Sequence, residues 1–273
     1  MIKIEIKIPY FSNSKLNLTV FKMKITLLLL FIFTQILYCQ VNTEKYRNIE
    51  DSLGFSGIIK VDASIRTGNT DLQELGSEIL LEYKRPASTL LLVLNGDYGW
   101  NNGKQFSDEA LTHLRFVKVL KQNLKFEIFT QVNYDKSLLL LFRSLGGAGL
   151  RFRLFETNHS VLWFGSAYMI EYERYSAPRR FIDKKKILAN RWSNYISYNL
   201  SIQKNVSISS VIYYQPRFDL WKDTRILTEN SLIVNLSGSF SLSVDFDLRY
   251  DRFTPVGIKE VDTKSKIGFI YNF

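Results

Sequence analysis

The last eleven residues of the chain, Thr263 to Phe273, place Ile267, Phe269, Tyr271 and Phe273 on alternate positions, and the chain stops on the last aromatic. A period of two is the repeat of a β-strand whose two faces meet different surroundings. The same period recurs along most of the sequence, and this constrains the fold more than any single motif. Phe55, Gly57, Ile59, Val61, Ala63 and Ile65 alternate with Ser56, Lys60, Asp62, Ser64 and Arg66, with Ile58 as the exception. Leu124, Phe126, Ile128, Thr130, Val132 and Tyr134 oppose Lys125, Glu127, Phe129, Gln131, Asn133 and Asp135. Phe240 to Tyr250 alternates with Ser239, Ser241, Ser243, Asp245, Asp247 and Arg249.

Further strands are expected from Leu75 to Tyr83, Leu90 to Trp100, Thr112 to Phe116, Phe142 to Leu154, Leu162 to Tyr172, Trp192 to Ile202, Val206 to Tyr214 and Thr228 to Leu236, about twelve in all. The links between them alternate in length. Those at 84–88, 121–123, 156–158, 203–205 and 237–238 are short, and those at 101–109, 175–191 and 252–262 are long; the brief apolar link 136–141 breaks the rule. An even number of strands, with short links on the side of both termini and longer ones opposite, is the plan of a bacterial outer-membrane barrel. Composition agrees. The chain holds 20 Phe, 15 Tyr and 4 Trp, enough for aromatic girdles at two interfaces. Backbone groups left unpaired in hydrocarbon cost several kcal/mol each, so such a sheet must close on itself. The fold class expected is all-β: one antiparallel transmembrane β-barrel over residues 54–273.

The N-terminal part reads as an address. Met23-Lys24 precedes thirteen residues, Ile25 to Leu37, of which only Thr26, Thr34 and Gln35 are polar. A basic start before an apolar run of that length is a secretory signal, too short for a spanning helix of about 20 residues. Residues 23–39 are therefore expected to be a cleaved signal peptide, residues 1–22 a mis-assigned start or an extended basic region, and residues 40–53 a periplasmic lead. The box around Cys39 resembles a lipoprotein processing site, but Tyr38 is bulky where a small residue is needed. Cleavage after Cys39 leaves no cysteine, which excludes disulfides and thiolate chemistry. Loss of residues 1–39 removes five lysines and Glu5 and lowers the net charge from +10 to +6, an excess too modest and clustered for nucleic-acid binding.

Three segments carry a resemblance: Ser64-Ile-Arg-Thr-Gly-Asn-Thr70 after the first strand, Glu127-Ile-Phe-Thr-Gln131, and Arg143 with Gly146-Gly-Ala-Gly-Leu-Arg151. Together they resemble the YdiY-like, salt-induced outer-membrane protein family, a domain of unknown function. The resemblance covers roughly residues 55–273 and implies an outer-membrane barrel; it brings no catalytic residues. It also implies that Phe269, Tyr271 and Phe273 form the signal read by the barrel-assembly machinery.

The candidate site is the inward charge set Glu127, Gln131, Asp135, Arg143, Arg151, Arg153, Glu171 and Glu173. Either it lines a narrow selective pore, or it is a ladder that fills the lumen and holds register. Glu171 and Glu173 lie two apart on one strand and do not make a glycosidase pair. His113 and His159 are the only histidines, which excludes a histidine-rich metal site, and no cofactor is expected. His159-Ser160 are sequence neighbours pointing to opposite faces of a strand, which argues against a lipid-hydrolysing dyad. Gly146-Gly147-Ala148-Gly149 is followed by no Lys-Ser/Thr pair; its glycines relieve crowding or bend the sheet. Arg179, Arg180, Lys184, Lys185 and Lys186 form a basic run in the longest outer link, either a contact for anionic lipopolysaccharide or a solvated loop. The function expected is a non-enzymatic structural barrel or narrow passive pore of the envelope, with a lipid-modifying enzyme and a closed-lumen binding barrel as alternatives.

Overall fold

A computed structural model describes residues 53–67, 72–101 and 104–273. The expected extended or mis-assigned start at residues 1–22, the expected signal peptide and all but Leu53 of the expected periplasmic lead lie outside them. The described chain forms twelve strands: β1 Gly54–Thr67, β2 Leu72–Arg85, β3 Ser88–Asn101, β4 Lys104–Lys121, β5 Leu124–Asp135, β6 Leu140–Glu156, β7 Ser160–Tyr175, β8 Lys186–Gln203, β9 Val206–Pro216, β10 Thr224–Ser237, β11 Phe240–Asp251 and β12 Val261–Asn272. Every strand pairs antiparallel with its sequence neighbours, and β1 pairs with β12, so the barrel is closed. The closing register runs from Ile58↔Asn272 to Thr67↔Thr263.

The chain end takes part in the closure. Gly57 N–H donates to Phe273 O at 2.9 Å and Phe273 N–H donates to Gly57 O at 3.0 Å. The Phe273 ring covers Gly57 so closely that a Cβ there would lie 2.3 Å from its Cζ. A glycine opposite the terminal aromatic is thus a packing requirement. Tyr271 and Phe273 stack at 6.2 Å, and Phe240 packs on Tyr271 at 5.1 Å.

Links β2–β3, β4–β5, β6–β7, β8–β9 and β10–β11 span two or three residues each. Following the convention for such barrels, this end, which also holds the C-terminus, is the periplasmic one. Three outer links are long: residues 176–185, 217–223 and 252–260. Two expectations are corrected here. The long link at 101–109 is instead a continuing hairpin, with β3 running to Asn101 and β4 starting at Lys104. The eighth strand begins at Lys186 rather than Trp192, because Ile187, Ala189 and Arg191 continue its alternation and are buried. The irregular link 136–141 holds a 3₁₀ turn, Lys136–Leu138, whose Leu138 N–H is capped by Asp135. Leu139 then turns the chain with φ 56°.

The outer surface is apolar, as the alternation requires. Phe55, Val61, Leu75, Ile128, Ile170, Val244, Ile267 and Phe269 are all exposed. Exposed aromatics gather toward the two rims, with Phe55, Tyr83, Phe240 and Phe273 below and Tyr98, Trp192, Phe218 and Trp221 above. The core is the lumen. Ile58, Leu80, Leu91, Val93, Val117, Ile233 and Ile270 make one apolar layer near the periplasmic end. It joins Val117 on β4 to Ile233 on β10, opposite strands of the ring, so side chains fill the bore at that level. Ile58, the exception in the first strand, faces inward to join it.

Candidate functional site

Above the apolar layer the lumen is filled by charge. Inward positions on a small barrel have no solvent of their own, so ionised groups there must meet partners. The densest network occupies the outer half, against strands β6 to β11. Arg225 donates Nε to Asp251 Oδ2 at 2.7 Å, Nη1 to Glu171 at 3.1 and 3.2 Å, and Nη2 to Glu173 Oε2 at 2.9 Å. Arg143 donates Nη2 to Glu171 Oε2 at 2.8 Å and lies 3.5 Å from Glu173. Arg191 donates Nε to Glu171 and Nη2 to Asp223 Oδ1 at 2.9 Å. Glu171 is therefore shared by three arginines and is fully buried.

Arg179 closes this network from above. It sits in the 176–185 link, yet only 1% of its surface is exposed. Its Nη1 and Nη2 donate to Asp223 Oδ2 and Oδ1 at 3.1 Å, its Nη2 also to Asp251 Oδ1 at 3.0 Å, and its Nε to Phe253 O. The links 176–185 and 252–260 are tied by Arg180 N–H to Thr254 O and Val256 N–H to Pro178 O, both at 2.9 Å. Phe181 packs edge-on to Phe253 at 5.1 Å. Together the two links and the 217–223 link form a lid pegged into the mouth by one guanidinium. Burial alone would raise the Asp223 carboxyl, but Arg191 and Arg179 outweigh it and hold it below the ordinary 3.8. Asp219 is also held below that value, chiefly by the hydrogen bonds from Arg217.

Three smaller clusters lie in the lumen among the described residues. Lys264 reaches Asp97 at 2.7 Å, Glu74 at 2.8 Å and Glu109 at 3.4 Å. Lys60 pairs with Asp245, which also accepts from Ser231 at 2.6 Å and Ser243 at 3.0 Å. On the other wall Tyr195 OH donates to Glu127 Oε2 at 2.7 Å across the two intervening strands, β6 and β7, and Arg151 and Arg115 flank the same carboxylate at 3.6 and 3.8 Å. Gly147 leaves room for Phe129, whose Cζ would lie 2.5 Å from a Cβ there, so this glycine relieves crowding inside the barrel. A cavity of about 170 Å³ remains between these groups, lined by Asp135, Arg143, Glu173 and Arg225 among others.

The eight residues singled out from sequence all face the lumen, but they do not form one cluster. Arg143, Glu171 and Glu173 join the mouth network. Glu127 and Arg151 pair lower down, and Gln131 contacts His113 Nδ1 at 3.2 Å. Asp135 caps the 3₁₀ turn, and Arg153 pairs with Glu156 near the rim. The basic run is also divided. Arg179 is buried in the mouth and is corrected from a surface charge to the lid's peg; Arg180 is half-buried near Glu260 at 3.8 Å; Lys184, Lys185 and Lys186 are exposed. Arg191, Asp223, Arg225 and Asp251 were missed. Arg191 and Arg225 belong to strand extensions whose alternation was legible, whereas Asp223 lies in an irregular link with no periodic signal. His113 is buried against Gln131 and Arg115, and His159 is exposed in a periplasmic turn.

Residues 59–273 match the family described as "Protein of unknown function, DUF481". No protein among those curated for function matches the sequence. Among solved structures, the chain is similar to the NanC porin, at TM-score 0.54 and 8% identity, covering 78% of this chain and 98% of that one. It is similar to an outer-membrane channel from Pseudomonas putida F1, at TM-score 0.52 and 8% identity, covering 86% and 100%. It is similar to the translocator domain of the autotransporter NalP from Neisseria meningitidis, at TM-score 0.50 and 8% identity, covering 82% and 90%. These likenesses establish the outer-membrane barrel fold.

Proposed function

The chain belongs to the DUF481 family, and on that premise we propose that it is a narrow, passive, non-enzymatic pore of the bacterial outer membrane, in the YdiY-like, salt-induced branch, held nearly shut by its own side chains. The observation that carries this reading is the mouth network, in which the buried Arg143, Arg179, Arg191, Arg217 and Arg225 meet the buried carboxylates of Glu171, Glu173, Asp223 and Asp251 across the lumen, with Arg179 pegging the lid. Porin and channel likenesses support a pore-like role in general. Purified protein in planar bilayers is expected to give small, infrequent current steps, and Arg179→Ala, which removes the peg without touching a strand, is expected to enlarge or lengthen them. Absence of steps in both proteins would sink the pore reading.

A second reading, a closed scaffold barrel, is favoured by the apolar layer that joins opposite strands near the periplasmic end. It predicts silence in both proteins. Its partners in either reading would be outer-membrane lipid, lipopolysaccharide at exposed Lys184, Lys185 and Lys186, and the barrel-assembly machinery at Phe269, Tyr271 and Phe273. A lipid-hydrolysing enzyme is not supported, since His113 is held by Gln131 and Arg115 inside the lumen.

A further inference from the structure

The periplasmic ends of β2, β3 and β4 carry a row of side chains that neither the lumen network nor the lid uses. Arg85 on β2 stands opposite Ser88 on β3, and Ser88 stands opposite Lys118 on β4. Residues paired in register share a face of the sheet. Here that face is the outer one. Tyr83, Leu90 and Phe116, each two residues further up its strand, form the next row and are all exposed. Arg85 and Lys118 are exposed as well. Glu82 and Lys84 occupy the intervening positions of β2 and face the lumen, Glu82 opposite the buried Leu91. Among the described residues neither Arg85 nor Lys118 pairs with a carboxylate, and the Arg85 guanidinium lies 5.2 Å from the centre of the Tyr83 ring.

Tyr83 belongs to the lower aromatic rim, with Phe55 opposite it on β1. The row of Arg85, Ser88 and Lys118 lies one step below that rim, at the depth of the headgroups of the periplasmic leaflet. Adjacent strands are about 4.8 Å apart, so the two cations arise about 10 Å from each other, and their long side chains lean onto one group held over Ser88. Above Ser88 the outward residues of β3 are Leu90, Leu92 and Leu94, an aliphatic stripe whose foot lies between Tyr83 and Phe116. The other periplasmic links offer no such row. Lys204 is the exposed cation of the β8–β9 link, the β10–β11 link is Gly238-Ser239, and Arg153 beside the β6–β7 link is taken by Glu156.

We propose that this row binds the phosphate of an anionic glycerophospholipid of the periplasmic leaflet. The Arg85 guanidinium and the Lys118 ammonium donate to the phosphate from its two sides, the Ser88 hydroxyl donates from between them, and one acyl chain lies along the stripe from Leu90 to Leu94. Ionised donors make the stronger hydrogen bonds to phosphate oxygens, and a guanidinium resting on an aromatic ring is already placed to make two. A lipid is favoured over free phosphate because the apolar stripe runs from the clamp into the bilayer. An anionic lipid is favoured over a zwitterionic one because a choline or ethanolamine head brings its own cation to two protein cations. Each cation at an anionic surface is worth about fivefold in affinity, so the pair is worth about 25-fold before salt screening. The site requires a barrel set in a bilayer with this end inward and is independent of whether the lumen conducts.

The test is native mass spectrometry of the folded, heat-modifiable protein released from nanodiscs that hold phosphatidylglycerol and phosphatidylcholine in equal amounts with matched acyl chains. The native protein is expected to retain one phosphatidylglycerol about tenfold over phosphatidylcholine. Arg85→Gln combined with Lys118→Gln should bring that ratio close to one, Lys204→Gln should leave it unchanged, and inorganic phosphate in large excess should not displace the lipid. Equal retention of the two lipids by the native protein, an unchanged ratio in the double variant, an equal loss in Lys204→Gln, or displacement by inorganic phosphate would overturn the site. If the double variant does not assemble, Leu90→Trp in the otherwise native chain decides. Phosphatidylglycerol brominated on its acyl chains should quench the added emission more than phosphatidylcholine brominated alike, and equal quenching would refute the site. Silent bilayers with phosphatidylglycerol retained would end the pore reading and leave the site standing.

Discussion

Arg225→Met is the most informative single change. The side chain is fully buried and donates to three carboxylates, Asp251, Glu171 and Glu173, at 2.7 to 3.2 Å. Removing one partner of a buried ion pair costs about 3–5 kcal/mol, because charge is stranded in a medium that solvates it poorly. Here the loss falls toward the lower limit. Glu171 keeps Arg143 and Arg191, and Asp251 keeps Arg179. Glu173 suffers most, retaining Arg143 at 3.5 Å and Arg179 at 3.7 Å. A destabilisation of about 3 kcal/mol, roughly a hundredfold in the folding equilibrium, is the expected result. Reversible unfolding from lipid vesicles in denaturant, followed by tryptophan emission, measures it. Adding Glu173→Gln removes the stranded charge, so the double variant should be more stable than Arg225→Met alone. A single variant within about 0.5 kcal/mol of the parent, or strictly additive effects, would show that the network does not hold the mouth together.

Acid should open the lid late. The Asp223 carboxyl is held below 3.8, so the stability it lends is present above that value and is lost as pH falls through the depressed one; bilayer conductance should be unchanged from pH 7 to pH 5 and rise only below about 3.8, and a rise at pH 5 would contradict it. Deleting Phe273 removes two backbone bonds at the closing seam, and Gly57→Val forces the terminal ring off its seat; both should lower the heat-modifiable, membrane-inserted fraction far more than synthesis, and normal insertion of both would argue against an assembly role. Replacing Lys184, Lys185 and Lys186 with Gln should weaken lipopolysaccharide binding in a salt-sensitive way, measured by surface plasmon resonance at two ionic strengths, whereas Arg179→Gln should leave that binding unchanged because its charge is spent inside the barrel.

Alternation along each strand dictates much of the architecture by itself. Residues two apart on a strand share a face, so Glu127, Gln131 and Asp135, or Glu171 and Glu173, could be assigned inward from local sequence alone, and the short links marked one end of the barrel. Terminal Phe273 was legible for the same reason. What local sequence did not contain was distance between strands. Arg225 and Glu171 are 54 positions apart, Lys60 and Asp245 are 185 apart, and only closure of β1 on β12 with a particular register decides which inward charges meet. Arg179 shows the limit most clearly. In sequence it belongs to a basic loop beside Arg180, and the expectation was solvent; in the folded chain the loop turns back over the mouth, and the carboxylates of Asp223 and Asp251 draw the guanidinium inside. Periodicity is a property of each strand, whereas the pairing of charges across a lumen is a property of the closed sheet and of the irregular links that cap it.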